Sequence, residues 1–190
     1  MPVGQYARLD QGCSECRGRT LGFDQAMALG PYTGPIRDLC LRLKDQENAW
    51  LAQSLAELFV ETYQHQLESL DPAAVVPIPL YWVRRLHRGY NQADELAGAI
   101  ACRIGLKVDR GLRRGLDTPK LAGLSRLERR QHMQGAFRMR LRPEWKGRTV
   151  LLVDDILTTG ATTGTAARAI KQAGAKRVVV AVIGRAEGRA

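Results

Sequence analysis

Thirteen residues, Val150-Leu-Leu-Val-Asp154-Asp155-Ile-Leu-Thr158-Thr159-Gly160-Ala161-Thr162, hold the clearest chemistry in this chain. An apolar run of strand type leads into two adjacent acids, then into a turn rich in Thr and Gly, then into a helical pattern. Ligands of open α/β sheets bind at the carboxyl ends of strands. Gly160 admits a close backbone approach. The free amides of the turn and of the first helical residues, together with the Thr158, Thr159 and Thr162 hydroxyls, would form a cradle for a monophosphate. Two carboxylates beside it suit the vicinal hydroxyls of a ribose or a divalent metal. Either half alone is commonplace, because Thr caps helices and acids end strands. Together they describe a site for a sugar 5′-phosphate. The stretch is not a P-loop, which needs Gly-x-x-x-x-Gly-Lys-Ser/Thr, and Gly-x-Gly-x-x-Gly is absent.

Such residues need a frame. Strand-length apolar runs fall at 74–77, 149–153 and 177–183. Helical spacing marks 35–44, which starts at Pro35. It also marks 48–70, where Leu51, Leu55, Leu58 and Phe59 share a face and Asn48 can cap the start. Further helices are predicted over 91–104 and over 162–173, the latter ending at Gly174. Ser125 and Glu128 form a capping-box pattern ahead of a helical piece at 125–134. Residues 1–30, punctuated by Gly12, Gly18, Gly22 and Gly30-Pro31, read as irregular. Strands alternating with helices predict an α/β fold, a parallel sheet with helices on both faces.

Apolar residues make up 45% of the 190 residues and charged ones 25%, which excludes a mainly disordered chain. The longest apolar run, Val178 to Ile183, is far too short to span a bilayer, and the first residues show no apolar signal region. Four cysteines are too few for a disulfide scaffold and fit a reducing cytosol, so a cytoplasmic protein without membrane insertion is expected. The net charge is +10, and +9 of it lies between Arg110 and Arg148. That segment should meet an anion: a phosphorylated metabolite, a nucleic acid strand or an acidic protein. For Arg138, Arg140 and Arg142 a solvated basic face is the plainer expectation.

Residues 150–162 resemble the 5-phosphoribosyl 1-pyrophosphate (PRPP) motif of type I phosphoribosyltransferases. Val76-Pro77-Ile78-Pro79-Leu80, Arg88-Gly89-Tyr90-Asn91-Gln92, Gly123-Leu124-Ser125-Arg126-x-x-Arg129-Arg130 and Gly135-Ala136-Phe137, in that order, are similar to the ComF-type family within that superfamily. The family is linked to competence and DNA uptake. The resemblance spans about residues 30–186. It implies a phosphoribosyltransferase-like domain over 31–190, behind an N-terminal segment 1–30. It implies that Asp154 and Asp155 bind the ribose hydroxyls, and magnesium with them. Thr158, Thr159, Gly160, Ala161 and Thr162 would hold the 5′-phosphate. Pro77, Ile78, Pro79 and Leu80 would form a pyrophosphate loop, with Arg84, Arg85 and Arg88 just beyond it. Residues 118–130 would be a closing loop that brings Arg129 and Arg130 to the reaction. The implied activity is transfer of phosphoribose from PRPP to an unidentified acceptor, with pyrophosphate released. A rival of another class is a PRPP-sensing or DNA-uptake accessory protein that uses the basic segment on single-stranded DNA or a competence helicase. Leu121 and His132 stand where the family tends to show Gln and Asn, which removes a polar contact from the closing loop.

Family members commonly carry an N-terminal zinc ribbon with two Cys-x-x-Cys pairs. Here only Cys13 and Cys16 form one. A structural zinc wants four ligands, so a complete zinc site within this chain is not expected. Cys40 and Cys102 fall in predicted helices and read as small buried apolar residues. His65, His87 and His132 show no ligand spacing.

Overall fold

The computed structural model describes residues 21–80, 90–115 and 136–186. In chain order these form strand β1 (Gln25–Pro31), helices α1 (Gly34–Arg42) and α2 (Leu51–Leu70), strand β2 (Pro72–Pro77) and helix α3 (Gln92–Arg103). The short strands β3 (Arg113–Arg114) and β4 (Phe137–Arg138) follow, then β5 (Thr149–Val153), β6 (Ile156–Leu157), helix α4 (Ala161–Gln172) and β7 (Arg177–Arg185). The main sheet runs β1-β7-β5-β2 with every pairing parallel, and β6 pairs with β7 beyond the end of β5.

The central strands are apolar throughout their buried middles, Val150–Val153 and Val178–Ile183, because both of their faces are covered. Successive side chains alternate between those faces. Val150 and Leu152 of β5, with Val178, Val180 and Val182 of β7, join Ala166, Ala167 and Ile170 of α4 in one buried cluster. Leu151 and Val153, with Val179, Ala181 and Ile183, join Phe59 of α2 and Leu96 and Ile100 of α3 in the other. This is the expected helix-flanked parallel sheet of a type I phosphoribosyltransferase-like fold.

Several local expectations change. Gln25–Pro31 is a strand of the central sheet, inside the stretch expected to be irregular. Its sequence has no β-branched residue, so local propensity gives no signal; the pairing is imposed from outside. The Asp24 carboxylate accepts from the Val178 amide at 2.7 Å and pairs with Lys171 at 2.8 Å. On the outer edge, the Tyr63 hydroxyl accepts from the Ala28 amide at 3.1 Å and donates to the Ala28 carbonyl. To reach that edge α2 leaves helical geometry at Tyr63, where φ is −114° and ψ is 17°. Asn48 sits in a 3-10 turn and does not cap α2, whose N-cap is Trp50. Leu58 is exposed, because the buried stripe of α2 follows Leu51, Leu55 and Phe59. Cys40 is buried as expected, but Cys102 is exposed. The helical piece expected at 125–134 and the Cys13 and Cys16 pair lie outside the described residues.

The chain entering β1 lies hard against α4. A methyl group built on Gly164 would stand 1.9 Å from the Leu21 carbonyl oxygen, and one on Gly22 would stand 2.3 Å from the Gly164 oxygen. Neither backbone can yield without parting the two segments. Gly164→Ala is therefore expected to destabilise the protein by about 1–3 kcal/mol, as overpacked sites do. Gly98→Ala in α3, where nothing lies within 4 Å of the new methyl, should stabilise by about 0.5–1 kcal/mol through helix propensity. Chemical denaturation of the two variants checks the contrast; a Gly164→Ala protein as stable as wild type would mean the segments are not in contact.

Candidate functional site

β5 and β6 occupy one lane of the sheet. Val153 pairs with Ala181 and Ile156 pairs with Gly184, so the chain passes Asp154 and Asp155 without losing register against β7. The Asp154 amide donates to the Ala181 carbonyl at 3.1 Å, and the Asp155 carbonyl accepts from the amides of Ile183 and Gly184, each at 3.1 Å. The two acids are thus held by main chain at the carboxyl end of β5, where a ligand is expected.

Their side chains differ. Asp154 is partly exposed, and its Oδ1 accepts from the Asp155 amide at 2.9 Å. Asp155 is buried, and its Oδ2 accepts from Gln92 Nε2 at 3.1 Å. Burial first, and then the neighbouring Asp155, push the Asp154 carboxyl well above the ordinary carboxylate range. Burial and the same Asp155 push the Cys40 thiol, which faces the Asp155 carbonyl, up to about 12, so it behaves as a small neutral side chain. The sequence pattern treats the two acids alike; the fold gives them different partners and different burial.

Beyond β6 the turn expected to cradle phosphate is open. Thr158, Thr159 and Ala161 are exposed. Gly160 takes a left-handed conformation, φ +75°, just before α4. Among the described residues the amides of Thr162 and Thr163 meet no acceptor, and Ala161 N reaches Thr159 Oγ1 at 3.4 Å. Leu21 and Phe23 back the turn, each 3.4 Å from the place a Gly160 methyl would take. Such a turn can bind a phosphate through main-chain N–H groups and hydroxyls.

The neighbouring lane contributes the next segment. Ile78, just past β2, donates its amide to the Val153 carbonyl at 2.9 Å, which sets the expected pyrophosphate segment, residues 77–80, beside the acids. The Ile78 carbonyl accepts from Asn91 Nδ2 at 3.1 Å. β3 and β4 pair antiparallel, and Gly115 N donates to Ala136 O at 2.8 Å. Arg84, Arg85, Arg88, Arg129 and Arg130 lie outside the described residues, as does the expected closing loop, 118–130.

Part of the basic segment has a structural task. Arg142 was expected on a solvated face, yet it is largely buried and grips Asp109 through Nε at 2.7 Å and Nη2 at 3.3 Å. Burial raises the Asp109 carboxyl, but hydrogen bonds from Arg142 and the Gly111 amide outweigh it and hold the group below its usual range. Arg110 pairs with Asp94, and Arg148 with Asp71. Acids distant in sequence absorb charge that looks uncompensated along the chain.

Residues 86–189 match the family described as "Phosphoribosyl transferase domain". Competence protein F of Haemophilus influenzae is 32% identical over 183 residues, which cover 93% of this chain and 79% of that protein. The chain belongs to the ComF-type family of the phosphoribosyltransferase fold. "DNA utilization protein YhgH" of Salmonella typhi is 28% identical, and the protein of that name in Escherichia coli 27%, each over 172 residues that cover 88% of this chain and 75% of the relative. A purine phosphoribosyltransferase from Pyrococcus horikoshii aligns with 72% of this chain and 84% of its own at 14% identity and a TM-score of 0.37, a slight likeness. Among the described residues no helix is long and apolar enough to cross a membrane. The sequence of this ComF-type chain assigns no role to Asn91 and Gln92; two adjacent amide side chains at the start of a helix are the only signal they offer.

The raised Asp154 carboxyl has a consequence for stability. A carboxyl whose folded value lies above its unfolded one favours folding fully below the unfolded value, and that contribution is lost as pH rises through the folded value. Asp154→Asn, neutral at every pH, should therefore melt higher than wild type near neutral pH, and the difference should shrink in acid. A variant that melts lower than wild type at neutral pH would show that the anion is well satisfied in the free protein.

Proposed function

We propose that the protein binds PRPP and transfers its phosphoribosyl group to an acceptor with release of pyrophosphate. The observation that carries this reading is the junction of an open Thr-Gly turn with a carboxylate pair at the end of one strand, beside a second loop hydrogen-bonded to that strand. The turn 158–162 would hold the 5′-phosphate through its amides and hydroxyls. Asp154, the more exposed acid, would take the ribose diol, with Asp155 behind it. Residues 77–80, with Arg84, Arg85 and Arg88, would take the pyrophosphate.

A magnesium ion fits this donor set as a partner of the ligand. Among the described residues no cluster of three His, Cys, Asp or Glu could hold a metal alone, and magnesium commonly joins one or two carboxylates to substrate phosphate oxygens. When bound, it would supply neutralising charge to the pyrophosphate. In the reaction the bond from ribose C1 to the pyrophosphate oxygen breaks and a bond from the acceptor to C1 forms. Positive charge builds on the sugar and negative charge on the leaving group, much as in glycoside cleavage. The carboxylates would stabilise the first and the arginines the second, including Arg129 and Arg130 if loop 118–130 closes and excludes water.

A second reading, PRPP sensing or DNA handling without turnover, has its own support. Leu121, which cannot hydrogen-bond a substrate, stands where the resemblance leads one to expect Gln. Arg113 stands directly opposite Arg138 in β3 and β4, both exposed; like charges in cross-strand register repel, and an anionic strand laid across them would relieve that. Two relatives bear names that refer to DNA utilization and competence.

Calorimetric titration with PRPP and magnesium tests the site. Wild type should bind, and the Asp154→Asn/Asp155→Asn double variant should bind at least about tenfold more weakly; equal affinities would overturn the assignment. Pyrophosphate release on adding nucleobases and amines then reports turnover. PRPP binding without release, together with salt-sensitive DNA binding that survives the Asp substitutions, would favour the second reading.

A further inference from the structure

We infer that Asn91 and Gln92 are a pair of positioning residues that lock the two halves of the site together, Asn91 fixing the pyrophosphate segment and Gln92 fixing the diol-binding carboxylates. The inference rests on the proposed PRPP site and assigns the pair's task within it.

The geometry is a fork at the start of α3. Asn91 is the N-cap; its Oδ1 accepts from the Ala93 amide at 3.2 Å, which leaves Nδ2 to donate to the Ile78 carbonyl at 3.1 Å. One residue on, Gln92 turns the other way, and its Nε2 donates to Asp155 Oδ2 at 3.1 Å. One rigid helix end thus touches the loop after β2 and the turn after β5. Tyr90 adds a third anchor, its hydroxyl donating to the Leu43 carbonyl at the end of α1. Burial, followed by the nearby Glu95, Asp155 and Asp45, pushes that hydroxyl up to about 12, so it stays a donor.

Gln92 is not what packing alone would select. It is almost fully buried, and among the described residues its Oε1 is a buried side-chain atom without a hydrogen-bond partner. An unmade buried hydrogen bond is costly, and an aliphatic side chain would avoid the cost. The amide orientation follows from its neighbour, because a carboxylate accepts and only Nε2 can donate to it. With Oδ2 committed to Gln92, the Asp155 carboxyl is held in one rotamer against Asp154. Asn91 acts likewise on a main-chain carbonyl inside the pyrophosphate segment. Each residue acts through another group, so their losses should be separable by ligand.

The test compares Gln92→Leu and Asn91→Ser with wild type, using ribose 5-phosphate, 2-deoxyribose 5-phosphate and inorganic pyrophosphate, each with magnesium. Ser retains the cap but cannot reach Ile78. Wild type should prefer ribose 5-phosphate to its deoxy analogue. Gln92→Leu should lose about tenfold of that preference and keep its pyrophosphate affinity. Asn91→Ser should keep the preference and bind pyrophosphate several-fold more weakly. A merely structural role would lower all three affinities together, so a uniform loss overturns the inference, as does no change in either variant. Should Gln92→Leu fail to fold, Gln92→Asn, one methylene too short for Asp155, gives the same readout. If wild type binds none of the ligands, the PRPP reading fails and takes this inference with it; if wild type binds and discriminates while the variants match it, only this inference fails.

Discussion

Between Val153 and Ile156 the chain passes two acidic residues and returns to its lane beside β7 with register intact. The site depends on that continuity. β7 receives the Asp154 amide and supplies two amides to the Asp155 carbonyl, so two carboxylates that repel one another are fixed by main-chain bonds on either side. A loop of the same sequence without a neighbouring strand could relieve the repulsion by moving the acids apart. Here the acids stay together, and burial, followed by the neighbouring Asp155, raises the Asp154 carboxyl. A divalent cation or a sugar diol at that point would meet groups already in place.

The apolar architecture serves the same end. The carboxyl ends of β2 and β5 lie side by side, so residues 77–80 and the turn after β6 lie at one edge of the sheet. α3 covers one face and sends Asn91 and Gln92 to that edge, while α4 covers the other and begins at the Thr-Gly turn. The segment before β1 closes the back of the turn with Leu21 and Phe23, at an approach that only Gly22 and Gly164 permit. The residues between 21 and 31 therefore belong to the body of the domain.

Charge divides in the same way. The excess between Arg110 and Arg148 reads in one dimension as a single anion-seeking surface. In three dimensions Arg110, Arg142 and Arg148 are spent on Asp94, Asp109 and Asp71. Arg113 and Arg138 are left exposed and in cross-strand register, a smaller basic feature of β3 and β4.

The sequence alone determined the parallel sheet with helices on both faces, because strands buried on two sides must be apolar throughout and the helices between them keep their 3.6-residue period. It also determined the strand-acid-turn-helix unit at 150–162, since that chemistry is contiguous and each residue type has a local reason to be there. Tertiary structure alone decided that 25–31 is a strand, since its hydrogen bonds come from β7 and Tyr63 and nothing in its own composition asks for extension. It decided that Leu58 and Cys102 face solvent, because a helix's buried stripe is chosen by the surface it meets. It decided as well that Asp155 looks inward to Gln92 while Asp154 stays partly open, a difference between adjacent identical residues that arises only once α3 packs Gln92 against one of them.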